Sequence, residues 1–126
     1  MIFQHTWQQV LSGHKTQTRR PAGDTDRLWT VEVEDRQPEK VLWRGDRTKW
    51  RTGRTYAVQP GRGKKAIVRI RLLDIRYQLL GHVAEEEARA EGFVNLDEFE
   101  RTWTKIHGHY DAERPVWALE FRLIEE

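Results

Sequence analysis

Gly13-His14-Lys15-Thr16-Gln17-Thr18-Arg19-Arg20 packs a glycine, a lysine, two threonines and two arginines into eight residues with no acid among them. No apolar residue recurs there at a spacing of two or 3.6, so the stretch is not patterned as core. Hydroxyls beside cations are the groups that meet an anionic or polar ligand. The alternative is plain helix-end chemistry. Gly13 stands where a left-handed residue closes a helix, and cations there suit the helix dipole.

A second signal is Glu91. It falls in the last turn of the helix-forming run Ala84 to Glu91, where the dipole disfavours an acid. A residue that breaks a local rule is a candidate for function, set against an ordinary surface glutamate. Glu85, Glu86 and Glu87, at the start of the same run, suit the dipole and read as solvated charge.

Two further stretches are basic. In Trp43 to Arg54, two tryptophans are interleaved with Arg44, Arg47, Lys49, Arg51 and Arg54, and Asp46 is the single acid. Aromatic faces with guanidiniums between them suit single-stranded nucleic acid; equally, the tryptophans can be core and the arginines the opposite strand face. Pro60-Gly61-Arg62-Gly63-Lys64-Lys65 is a tight basic loop without the spacer of a P-loop. It reads as a turn on two flexible glycines or as a phosphate patch built by Arg62, Lys64 and Lys65. His107 and His109 flank Gly108 with no third ligand in sight, so they read as helix-end histidines. No metal and no cofactor is expected. The absence of cysteine excludes disulfides, thiolate catalysis and cysteine-based zinc sites.

The elements that must position these residues are short. Thr6 to Leu11 predicts a helix capped by Thr6, with Trp7, Val10 and Leu11 inward. Leu28 to Val33 and Val41 to Arg44 are β-like and predict a hairpin projecting from the core. Tyr56 to Gln59 is a short strand. Ala66 to Arg76 is the clearest one: Val68, Ile70 and Leu72 alternate with arginines, then the phase slips so that Leu73 and Ile75 continue the apolar set. A slip of one predicts a β-bulge. Asn95 and Glu98 form a capping-box pattern, and Leu96, Phe99, Trp103 and Ile106 run down one face of a helix that Gly108 ends. Val116 to Ile124 closes the chain as a strand with Trp117, Leu119, Phe121 and Leu123 inward.

The sum is α+β: five to seven mostly antiparallel strands in a small bent or closed barrel, with about three short helices at its ends. A length of 126 residues suits one domain. Residues 1–76 carry 17 Lys+Arg against 8 Asp+Glu, a formal +9; residues 77–126 carry 5 against 12, a formal −7. The split leaves room for a polyanion on one part of the surface, or for two halves that neutralise each other across the fold. No apolar run approaches the roughly 20 residues of a membrane helix. The first seven residues lack the pattern of a secretory signal. The expectation is a cytoplasmic protein with no membrane partner; protein partners have no signature here.

Three stretches together resemble the ASCH domain family of the PUA-like superfamily. Gly13 to Arg20 matches its Gly-x-Lys-x-x-Thr-x-Arg signature. Ala88 to Phe93, followed by Phe99 and Trp103, matches the second. Pro115 to Phe121 matches the terminal strand. The block Trp50 to Gly63 resembles one branch, and residues 24–48 match nothing and read as a hairpin insertion into a single domain spanning 1–126. The resemblance implies a PUA-like β-barrel with helices at its mouths, a basic cleft, and RNA or a modified nucleoside as partner. It also implies, from bacterial amidohydrolases of N4-acetylcytidine, a site of Lys15, Thr18 and Glu91. Arg19, Arg20, Trp50, Arg51, Arg54, Tyr56, Arg62, Lys64 and Lys65 are the expected ligand or nucleic-acid contacts. The competing expectations are a binding module without chemistry and a metal-free ribonuclease with Tyr56 or a histidine as acid/base.

Overall fold

The computed structural model describes residues 1–124. Seven strands form two antiparallel sheets. The larger has the order β1 (Gln17–Pro21), β7 (Pro115–Ile124), β6 (Val68–Leu79), β5 (Thr55–Val58); the smaller runs β2 (Asp26–Val31), β3 (Glu39–Arg44), β4 (Arg47–Arg51). Three helices, α1 (Trp7–Leu11), α2 (Glu85–Ala90) and α3 (Leu96–His107), and one 3₁₀ turn complete the chain. The α+β class and the strand number are as expected. The ladders, however, make two sheets and not one closed barrel among the described residues.

The long β6–β7 pair is the spine. Its register shifts between Leu72 and Asp74, at the predicted bulge. The extra residue is Leu73, which is 45% exposed, while Leu72 and Ile75 are fully buried. The expectation that Leu73 joins the core is therefore corrected: a bulge leaves one residue unpaired, and here that residue turns outward. The backbone of Leu72 bonds Gly53 and Arg54, so the bulge also fastens the β4–β5 turn.

The two sheets meet through Leu42, Trp50, Leu72, Ile75, Trp117 and Leu119. This corrects the projecting hairpin, since β3 and β4 close onto the core through Val41, Leu42 and Trp50. On β2, Trp29 is exposed. Asp26 clips this sheet to the larger one. Its carboxylate accepts from Arg44 Nε and Nη2, from Gly23 N and from Trp117 Nε1. The Arg44 hydrogen bonds lead in depressing its pKa to about 2.

The opposite face of the larger sheet is covered by helices, with Val116, Ala88, Phe99 and Trp103 in one cluster. Asn95 caps α3 by accepting from Glu98 N at 2.9 Å, and Gly108 ends it at φ +87°. In α1 only Val10 is buried; Trp7 is half-buried, Leu11 is exposed, and Thr6 makes no side-chain cap. A five-residue helix has one inward position per turn, which Val10 fills. Residues 1–3 pair with the end of β5 through Met1 and Phe3 backbone bonds to Gln59. This arm sets Phe3 against Phe121. No described helix is long and apolar enough to cross a membrane.

Candidate functional site

Strand β1 pairs only with β7, so its other edge is open. Along that edge lies a cleft of about 280 Å³, walled by the N-terminal arm on one side and α3 on the other. Lys15, Thr18, Arg19, Arg20 and Glu91 all line it, with Phe3, Phe93, Phe99 and Trp103 as its apolar wall. That is the low end of the size range of small-molecule sites, and mostly apolar walls with few polar groups are their usual make-up.

Local chemistry explains why each group is there. After α1, Gly13 takes φ +81° and turns the chain. Lys15 N then bonds Gln9 O, Thr16 N bonds Ala90 O, and Phe121 N bonds Thr16 O. Lys15 is thus pinned between the ends of α1 and α2, and is only 4% exposed. The helix-end account of Gly13 holds for the backbone, but the turn is not solvated at Lys15. Glu91 is the C-cap of α2 and is equally buried. Gly92 follows at φ +97°, and a Cβ there would lie 3.0 Å from Gln9 and 3.4 Å from Lys15 side-chain atoms. The positive φ and the close pass over Gln9 are what favour glycine there.

Lys15 Nζ donates to the Glu91 carbonyl at 2.6 Å and to Glu91 Oε1 at 2.9 Å. It satisfies a carbonyl left open by the helix end and neutralises the misplaced carboxylate in one stroke. Two of its three donors are used, leaving one for a ligand. Phe3 and Phe93 rings lie 5.5 and 5.8 Å from Nζ. Burial pushes the Lys15 pKa below its ordinary value; Glu91 opposes this, and Arg20 and Arg19 add to it. The desolvation of a fully buried ammonium outweighs one partner, which is the direction a proton acceptor needs.

Thr18 is buried, lines the cleft and has no hydrogen-bond partner among the described residues. Arg19, one residue on, belongs to the opposite face of β1. Its Nε donates to Gln78, Nη1 to Glu91 Oε2 at 3.2 Å, and Nη2 to Glu87. The side chain is fully buried and every nitrogen is engaged. Arg19 is therefore a clamp on Glu91 in the wall of the cleft. Glu87 is the anchor of that clamp and was misread as solvated charge. It accepts from Arg19, Arg76, Gln78 and the Ala84 N–H. Burial works against its ionised form, yet the Ala84 N–H, Arg19, Gln78 and Arg76 together hold its pKa low. Its spacing from Glu91, one helical turn, was the available signal.

Arg20 differs from Arg19. One nitrogen, Nη2, donates to the Ile2 carbonyl at 3.0 Å, and the guanidinium lies 5.2 Å from the Phe3 ring. No carboxylate of the described residues pairs with it, and Nε is buried without a partner.

The remaining expected contacts lie elsewhere. Trp50 is 6% exposed and sits between the sheets. Burying an indole's 150–250 Å² is worth roughly 4–6 kcal/mol against about 1–3 kcal/mol for a base stack, so core wins and the stacking role is corrected. Arg51 pairs with Glu39, and Tyr56 uses its hydroxyl to accept from Arg51 N. Burial raises the Tyr56 pKa, and the group is not on the cleft, which removes it as an acid/base there. Arg54, Arg62, Lys64 and Lys65 are exposed and also off the cleft. His107 does line the cleft, stacked on Trp103 with centroids 4.2 Å apart. No group of three potential metal ligands occurs among the described residues.

No family model matches the chain, and no curated protein matches it. Similar crystal structures include the following two. An ASCH domain from Lactobacillus crispatus JV V101 superposes with a TM-score of 0.61 at 14% identity, over 92% of this chain and 68% of its own. A DUF984 protein from Enterococcus faecalis V583 gives 0.58 at 18% identity, over 93% and 68%. The chain therefore has the ASCH-domain fold.

Proposed function

We propose that this chain is an amidohydrolase of modified nucleosides that removes the acyl group from N4 of an acylated cytidine. The observation that carries this reading is the buried Lys15–Glu91 pair, 2.9 Å apart, on the cleft that also holds the unbonded Thr18 hydroxyl. Lys15, in its neutral form, takes a proton from Thr18 Oγ1 or from a water beside it. The oxygen attacks the acyl carbon, and the carbonyl oxygen becomes an oxyanion. The newly formed ammonium donates its free N–H to that oxyanion. Collapse breaks the C–N4 bond, and the proton taken up by Lys15 passes by way of the Glu91 carboxylate to the leaving amine, which returns Lys15 to its neutral form. Water completes the release of the carboxylic acid. Arg19 and Glu87 hold Glu91 in place throughout.

The test is a pair of variants assayed with N4-acetylcytidine. Lys15→Ala and Thr18→Val are expected to lower kcat/KM by about 100-fold or more, the usual scale for a positioned base or nucleophile. Full activity in both, with the fold intact by circular dichroism, would refute the assignment.

A binding module without turnover is the second reading, and one observation favours it. The short 2.6 Å contact from Nζ to the Glu91 carbonyl is ammonium geometry, which grips an acceptor and does not remove a proton. In that reading the exposed Arg54, Arg62, Lys64 and Lys65 contact RNA phosphates.

A further inference from the structure

Arg20 is the charged cleft group that the mechanism above does not use. Its Nη2 is held by the Ile2 carbonyl, its ring neighbour is Phe3, and Nε is buried with nothing to accept from it. A buried donor without an acceptor is costly and rare in native proteins, so an orphan on a ligand cleft points to an acceptor that the ligand brings. The charge balance agrees. The formally charged residues lining the cleft are three cations, Lys15, Arg19 and Arg20, against one carboxylate, Glu91. Glu91 is already shared by Lys15 and Arg19 and acts on Arg20 only at longer range, and no carboxylate of the described residues makes a salt bridge to Arg20. A guanidinium in this state matches the planar, multi-oxygen edge of a phosphate. The cleft volume of about 280 Å³ admits one small ligand and not an extended strand.

We infer that the cleft takes its ligand as a mononucleotide, with Arg20 binding the phosphate monoester, and that the free nucleoside is the poorer ligand. The inference rests on the reading of the cleft as a nucleoside site. Arg20 is a binding residue here and takes no part in bond breaking. His107 lines the same cleft, and after burial and Arg114 the Arg20 charge helps to lower its pKa.

The experiment compares cytidine 5′-monophosphate, cytidine and inorganic phosphate by calorimetry, with wild-type protein, Arg20→Gln and Arg20→Lys. In the wild type the monophosphate should bind at least about tenfold more tightly than cytidine, the scale of one charge-assisted contact. Arg20→Gln should erase that difference, and Arg20→Lys should keep part of it. Equal affinities in the wild type, a preference that survives Arg20→Gln, or no binding of the monophosphate at millimolar concentration would each overturn the inference. Arg20 also holds the N-terminal arm, so a readout without mutation is added. The His107 ring resonance should move with phosphate while that of His82, off the cleft, stays still; no movement at His107 overturns the inference as well. Failure of the amidohydrolase reading looks different: phosphate and the monophosphate bind through Arg20, but no acyl group is released.

Discussion

At the scale of single residues, the account turns on the protonation of Lys15. Burial lowers its pKa, and a base must be neutral to act. Activity is therefore expected to rise with pH through an apparent pKa below the ordinary lysine value. A rate that falls over the same range would make the ammonium the active form and favour the binding or oxyanion role. Glu91 carries the stability of the site. Glu91→Ala would strand a buried ammonium and loosen Arg19, at a cost of about 3–5 kcal/mol, measurable by urea unfolding. A cost near zero would mean that the pair is not formed. The sequence singles these residues out, Lys15 and Thr18 through the signature stretch they match and Glu91 through its awkward place in a helix. Arg19 and Arg20 were not separable, because adjacent arginines on a strand read alike until the two faces are known. One found Glu87 and Glu91; the other found no carboxylate.

At the scale of elements, turns decide the geometry. Gly92→Ala is expected to cost about 1–3 kcal/mol, because φ +97° strains any other residue and the new Cβ meets Gln9 and Lys15. Thermal unfolding measures the loss, and activity should fall with it as Lys15 is displaced. The clip at Asp26 gives a pH test. Its folded pKa of about 2 lies below the unfolded value, so its contribution is complete above about pH 4 and is lost as pH falls towards 2. Allowing for partial exposure of Arg44, roughly 1–2 kcal/mol should disappear in that window, and Asp26→Asn should flatten the profile. The strands, the bulge and the α3 caps were legible because period and capping chemistry are local. The docking of β3 and β4 onto β6 was not. Trp50 follows a basic run that looks like surface, and only the pairing with Leu42 shows which face it joins.

At the scale of the whole molecule, the charge split between the two halves is met in part at the cleft. Lys15 and Arg19 meet Glu91, and Arg19 and Arg76 meet Glu87, so cations of the first part neutralise acids of the second. Among the exposed cations that make no salt bridge to a described residue are Arg54, Arg62, Lys64 and Lys65, about β5 and the following loop. If RNA is a partner, single-stranded RNA should bind there with salt-dependent affinity. Replacing Arg62, Lys64 and Lys65 by alanine should then reduce the salt slope by about 2, at roughly 0.7 per contact; an unchanged slope would place RNA elsewhere. The likeness to an ASCH domain over 92% of the chain accounts for the layout of sheets and helices. Sequence periodicity could not show that the strands divide into two sheets, since closure depends on pairing between distant segments.

The most direct measurement is cytidine release from N4-acetylcytidine by the unaltered protein at micromolar concentration. The account predicts steady release over minutes to hours that Lys15→Ala abolishes. No release from the wild type over that time would contradict it and leave the cleft as a binding site alone.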